Sequence, residues 1–137
     1  MLYDHYNEFI EDSPVDWRWQ NFSPKELSCP HCGEFYFFPA AFDAIQRLRD
    51  IVGAPVNLNS AHRCPIHNAH VGGAPLSEHK TRIAFDINLS GRDRLDILNK
   101  AAESGFGTFG FYRTFLHADM RPGRRWFGKG ARSLWNL

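Results

Sequence analysis

Net charge, cysteine and long apolar runs are all in short supply in this chain, and each shortage removes a class of function. Sixteen Lys and Arg against fifteen Asp and Glu leave a formal net charge of +1, so there is no general electrostatic case for a nucleic-acid partner. No stretch reaches the ~18 consecutive apolar residues of a membrane-spanning helix. The opening Met1-Leu2-Tyr3-Asp4-His5-Tyr6 lacks a basic segment followed by an apolar one, so no ordinary secretory signal is expected. On that reading the chain stays in the cytoplasm of the cell that makes it unless something else releases it. Three cysteines, Cys29, Cys32 and Cys64, are an odd count and too few for a disulfide scaffold. Cys29-Pro30-His31-Cys32 is a lone CxxC, and Cys64, His31 and His67 are its only nearby candidate partners. Three readings stay open for it: reduced thiols packed in an N-terminal lobe, a disulfide, or a second metal site. Repeats, low-complexity tracts and linkers are also missing, so residues 1–137 are expected to form one domain and to act as a monomer.

What is present is enough apolar material for a core, 43% of 137 residues. Residues 1–22, rich in Tyr, Trp and acids without a clear period, are expected to form an extended arm over a core of residues 23–127, with a tail at 128–137. Ser23-Pro24-Lys25-Glu26 carries an N-cap, a proline at the first helical position and a capping-box glutamate, so a short helix starts there. From Pro39 to Val52 the apolar Phe42, Ile45, Leu48 and Val52 recur at helical spacing, and Gly53 suits a terminator. A further helix is expected from about residue 92 to 104, with Leu95, Leu98 and Ala102 on its stripe and Gly105 closing it.

Between these helices the period falls to two. Residues 55–60 alternate apolar and polar; Ile83, Phe85, Ile87 and Leu89 share one face, and Ala84, Asp86 and Asn88 the other. Residues 108–112 read as another strand, and in 115–119 Phe115, His117 and Asp119 fall opposite Leu116 and Ala118. Helices and strands alternate without a βαβ rhythm, so the class is α+β, a small, mainly antiparallel sheet with flanking helices. If the Asp86 and His117 strands are neighbours, a polar site forms on one sheet face, and His79 reaches it from the preceding loop. Two imidazoles and a carboxylate are a ligand set for catalytic zinc, which activates water and polarises a carbonyl. If the three do not converge, they are two scattered histidines, from a total of seven, and an ordinary aspartate.

Longer motifs surround these residues. The chain reads Ser60-Ala61-His62-Arg63-Cys64-Pro65, then Gly72-Gly73-Ala74, then Ser77-Glu78-His79-Lys80-Thr81-Arg82-Ile83-Ala84-Phe85-Asp86-Ile87. It continues Gly105-Phe106-Gly107-Thr108-Phe109-Gly110-Phe111-Tyr112 and Phe115-Leu116-His117-Ala118-Asp119, and then Arg124-Arg125-Trp126. In order and spacing this resembles the zinc D-Ala-D-Ala peptidases of peptidoglycan, in particular their small carboxypeptidase-like and phage-associated members. The lead-in Asn21-Phe22-Ser23-Pro24-Lys25-Glu26-Leu27 is similar to that of phage members. The family shares its fold with the hedgehog signalling domain and the vancomycin-resistance D,D-dipeptidases.

The resemblance implies zinc on His79, Asp86 and His117, with Arg63 holding a substrate carboxylate or the charge at the scissile carbonyl, and Ser77 supporting the site. Three positions depart from the family pattern. Arg82 replaces a glycine, and His62 an aromatic tyrosine. Thr114 stands where the D,D-dipeptidases place a catalytic glutamate. The proton-accepting role then has Asp119 and His62 as candidates, and Asp119 equally suits orienting a ligand histidine. The implied partner is the peptidoglycan stem peptide, cut next to D-Ala, either by a phage lysis enzyme released through a holin or by a virion component. The alternative is a non-catalytic zinc-binding or wall-binding module of the same fold. The basic residues Arg121, Arg124, Arg125, Lys129 and Arg132 are expected to pack on the acidic arm or to meet anionic wall polymers. His5, His31, His67 and His70 read as surface residues.

Overall fold

The computed structural model describes residues 1–12 and 16–137. Its elements are β1 (Leu2–Tyr3), α1 (Tyr6–Asp12), α2 (Pro24–Leu27), β2 (Phe35–Tyr36), α3 (Pro39–Val52), β3 (Leu58–Ser60) and α4 (Pro65–His70). They continue with α5 (Glu78–Thr81), β4 (Phe85–Asn88), α6 (Arg94–Ser104), β5 (Thr108–Phe111), β6 (Phe115–Asp119), β7 (Arg125–Phe127) and α7 (Arg132–Trp135). A five-stranded sheet has the order β3-β4-β6-β5-β7, antiparallel except where β7 pairs parallel to β5. A second, two-stranded sheet joins β1 to β2. The class is α+β, as the changing periodicity requires.

Local chemistry explains the helix ends. Ser23 Oγ accepts from the Glu26 amide at 3.1 Å, and proline takes the first position of α2, where a missing N–H costs nothing. Helix α3 spans the expected residues and stops at Gly53, whose φ of +71° suits the left-handed cap. Helix α6 begins at an Asp93 cap, and its buried stripe is Ile97, Ala101 and Ser104. The expected stripe is thereby corrected, since Leu95 is 45% exposed. The helix is rotated so that Ile97 and Ala101, one turn apart, face the core.

The core is one cluster in which Phe42, Ile45 and Leu48 of α3 meet Ile97 and Ala101 of α6 and the apolar faces of β4, β5 and β6. Asp86 lies on the other face of β4 from Phe85 and Ile87, because successive side chains of a strand alternate. That second face is buried as well: Asp86 is only 6% exposed, under the candidate site.

Both terminal segments carry elements of their own and contribute to the core. The first 22 residues carry β1 and α1, and Phe9, Trp19 and Phe22 enter the core. Residues 13–15 of that segment lie outside the described residues. The Trp19 and Phe42 rings meet edge to face at 5.1 Å, and the Trp19 Nε1–H donates to Asp43 at 2.9 Å, so the indole is buried with its polar end satisfied. At the other end Trp135, 1% exposed, meets Phe111 edge to face at 5.0 Å and donates to the Tyr112 carbonyl at 2.8 Å. Among the described residues no helix is long and apolar enough to cross a membrane.

Candidate active site

Strand pairing brings the first two candidate ligands together. In the β4–β6 ladder Asp86 is the direct partner of His117, so both side chains rise from the same face. His79 arrives from α5, a helical turn rather than an open loop, capped by Ser77 Oγ accepting from the His79 amide at 3.2 Å. Arg82 ends this turn at φ −143°, so the chain reverses there without the left-handed conformation that would demand glycine. The three side chains converge. His79 Nε2 lies 3.1 Å from Asp86 Oδ1 and 3.2 Å from His117 Nδ1, and His117 Nδ1 lies 3.4 Å from the same Asp86 oxygen.

Hydrogen bonds outside the trio fix what those atoms offer. His79 Nδ1 donates to the Ala61 carbonyl at 2.6 Å, which leaves Nε2 of the neutral ring with its lone pair. His117 Nε2 donates to Asp119 Oδ2 at 2.7 Å, which leaves Nδ1 with its lone pair. Two imidazole lone pairs and a carboxylate oxygen therefore face one another in a buried space. Only a cation or a proton relieves that arrangement. Tetrahedral zinc, at ligand distances of about 2.0–2.2 Å, puts neighbouring ligand atoms roughly 3.3–3.6 Å apart, so the donor set fits in type and in spacing. A proton feels the same field: burial opposes the charged form of His117, but hydrogen bonds to Asp119 and Asp86 outweigh burial and raise its pKa. Burial opposes the charged form of Asp86, but the neighbouring His117 and His79 rings outweigh it and hold the carboxyl well below the usual carboxylate range.

The supporting residues fall into place around this centre. Arg63 Nη2 donates to Asp86 Oδ2 at 3.2 Å, Nε to Ser60 Oγ at 3.0 Å and Nη1 to Asn68 Oδ1 at 3.3 Å. It thus steadies the outer oxygen of Asp86 and keeps two of its five N–H groups for the cavity. Asp119 does not reach the cavity. Fully buried, it receives His117 Nε2 together with the backbone amide, Nε and Nη2 of Arg121. Those bonds outweigh its burial and bring its pKa down to about 2. Of the two roles open to it, this geometry is that of a residue orienting His117. His62, with 0% exposure, bonds to Glu34 Oε1 at 2.8 Å and to the Arg82 carbonyl and stands outside the cavity lining. Thr114 lies in the exposed turn between β5 and β6.

An open cavity of about 510 Å³ lies over the trio, lined by Arg63, Glu78, His79, Asp86, Tyr112 and His117, with Arg121, Arg124 and Trp126 on its wall. Trp126 stands 4.9 Å from the His117 ring and donates to Tyr112 Oη at 2.9 Å. It fits because Gly110, the β5 partner of both His117 and Trp126, has no side chain: a Cβ there would lie 2.5 Å from the indole. Glu78 went unnoticed in the sequence as a site residue, since it is one acid in a charged run. It is 4% exposed, its Oε1 accepts from Thr81 Oγ1 at 3.0 Å, and its Oε2 is buried without a hydrogen-bond partner. Arg121 and Arg124, read from sequence as part of a basic tail, in fact edge this cavity.

A small α+β fold with two imidazoles and a carboxylate converging at the floor of an open cavity defines the class of metal-dependent hydrolases. The family model described as Peptidase M15 matches residues 20–119, most of the chain, and the chain belongs to that family of zinc peptidases. It is on that ground a metallopeptidase. No curated protein matches the chain to narrow this further.

Proposed function

We propose that this metallopeptidase uses His79, Asp86 and His117 as zinc ligands and cuts peptidoglycan stem peptides or their crosslinks next to D-Ala. The observation that carries the ligand assignment is the convergence of three lone-pair atoms within 3.4 Å, each turned inward by a hydrogen bond on its far side or by strand pairing. Zinc bound there would polarise the scissile carbonyl and bring the pKa of water towards neutrality. Arg63 offers its two spare N–H groups to the substrate carboxylate or to the oxyanion that develops during attack. Arg124, on the cavity rim, adds positive charge where an anionic stem peptide enters. Trp126 and Tyr112 form an amphipathic wall against which the peptide packs.

The proton goes to Glu78. Among the described residues it and Asp86 are the carboxylates lining the cavity, and Asp86 is committed to the trio. The buried Oε2 of Glu78, without a hydrogen-bond partner and 3.8 Å from the Arg82 Nε, is placed to accept a proton from the attacking water and pass it to the leaving amine. Replacing Glu78 by Gln is expected to lower turnover by about 10²–10⁴-fold with the zinc content unchanged. Equal turnover would remove Glu78 from this role. A phage or prophage origin, with release through a holin or carriage in a virion, is supported by the lead-in segment 21–27.

The deciding experiment is mass spectrometry of muropeptides from sacculi incubated with the zinc-loaded protein, beside a His79→Ala control. Loss of terminal D-Ala or opening of D-Ala crosslinks by the wild type alone is the expected result, and it identifies the bond. Unchanged muropeptides despite bound zinc would instead indicate a binding or structural module.

A further inference from the structure

Three sulfurs that the candidate active site leaves unused meet where the N-terminal lobe touches the start of α4. Cys29, Cys32 and Cys64 are all free thiols, and their Sγ atoms lie within 4.8 Å of one another. A tight knuckle presents the first two. The Cys29 amide donates to the Glu34 carbonyl, and the Gly33 amide donates back to the Cys29 carbonyl, each at 2.8 Å. Gly33 makes the turn at φ +81°, and a Cβ there would come within 2.4 Å of the His5 ring, so the knuckle requires glycine at this point. Cys64 is delivered from sequence 32 residues further on, as the N-cap of α4.

The polar groups around the sulfurs are donors. The His67 amide donates to Cys64 Sγ at 3.3 Å. A fourth donor stands beside them: His31 Nδ1 is 3.7 Å from Cys64 Sγ. Zinc with sulfur at about 2.3 Å sets tetrahedral sulfur–sulfur edges of roughly 3.8 Å, within the 4.8 Å spread of the three sulfurs.

We propose that Cys29, Cys32, Cys64 and His31 hold a structural zinc ion, separate from the candidate active site. Binding displaces three thiol protons to solvent, keeps the imidazole neutral and leaves a closed four-ligand site of net charge −1 with no position for substrate. Its work is positional. The knuckle of the N-terminal lobe is tied to Cys64, next in the chain to Arg63, whose guanidinium steadies Asp86. The inference stands whether or not the His79, Asp86 and His117 trio binds a metal.

The test uses the full chain, purified under reducing conditions, stripped of metal and loaded with cobalt(II). Only a site with cysteine ligands gives an intense near-ultraviolet sulfur-to-cobalt charge-transfer band. The expected result is that band at one cobalt equivalent per chain, present also in His79→Ala and lost in a Cys29→Ser/Cys32→Ser double variant. In His31→Ala the visible bands should shift as water replaces imidazole, and in His31→Cys the charge-transfer band should grow. The unmodified chain guards against a variant that fails to fold: its three thiols should react slowly with Ellman's reagent until zinc is chelated. A wild type without the sulfur-to-cobalt band, or a disulfide joining two of the three cysteines in the reduced preparation, overturns the site. An unchanged His31→Ala spectrum overturns His31 as its fourth ligand.

Discussion

Asp119 shows how much of this site depends on a residue outside the cavity lining. Its carboxylate is fully buried and receives one ring N–H from His117 and three donors from Arg121. Any rotation of the His117 ring about its two side-chain torsions would cost that 2.7 Å bond, so Asp119 keeps Nδ1 aimed at the trio. Asp119→Asn retains the shape but removes the charge that makes Nε2 the protonated nitrogen. Zinc affinity should fall about 10–100-fold, the scale of such supporting carboxylates, with KM little changed. Competition with a chromophoric chelator reads the affinity. Unchanged affinity would mean that the pairing is incidental. The sequence already places Asp119 and His117 on one strand face, but two residues sharing a face can touch or diverge. Arg121, folding back from the turn after β6, decides which.

Elements divide between those with strong local signals and those made by contact. Helix α3, with a proline at its start, an apolar stripe and a terminal glycine, is fully legible, and so are the alternating strands β4 and β6. The short α4, α5 and α7 and the strands β1, β2 and β7 carry too few residues for a period to show. They form because neighbours supply partners, as β5 does for β7. Helix α6 lies between these cases. Its cap is in the sequence, for Asp93 Oδ1 accepts from the Leu95 and Asp96 amides at 3.0 and 3.4 Å, yet its buried stripe was set by packing on α3. Asp93→Ala should therefore cost about 1 kcal/mol of unfolding free energy, measurable by urea denaturation at constant m-value. A loss much under half of that would mean that α3 contacts alone hold the helix end.

At the scale of the whole molecule, the termini close the fold. Trp135 inserts its indole beside Phe111 and ties its N–H to the Tyr112 carbonyl, so residues after β7 brace the strand that carries one wall of the cavity. Trp135→Ala should lower stability by about 3–5 kcal/mol, the range for deleting a buried aromatic, and shift the thermal midpoint accordingly. A midpoint within a degree or two of wild type would show the tail to be dispensable. By itself the sequence determined the class of the fold, the long helix, the two central strands and the identity of three metal-binding candidates, because periodicity, caps and motif spacing are local properties. Tertiary structure alone decided that Asp119 bonds His117 and Arg121 while His62 turns to Glu34, that Glu78 and Arg124 border the cavity, and that Cys64 meets Cys29 and Cys32. Each of those depends on contacts between residues distant in the chain, and such contacts are set by how the whole core packs.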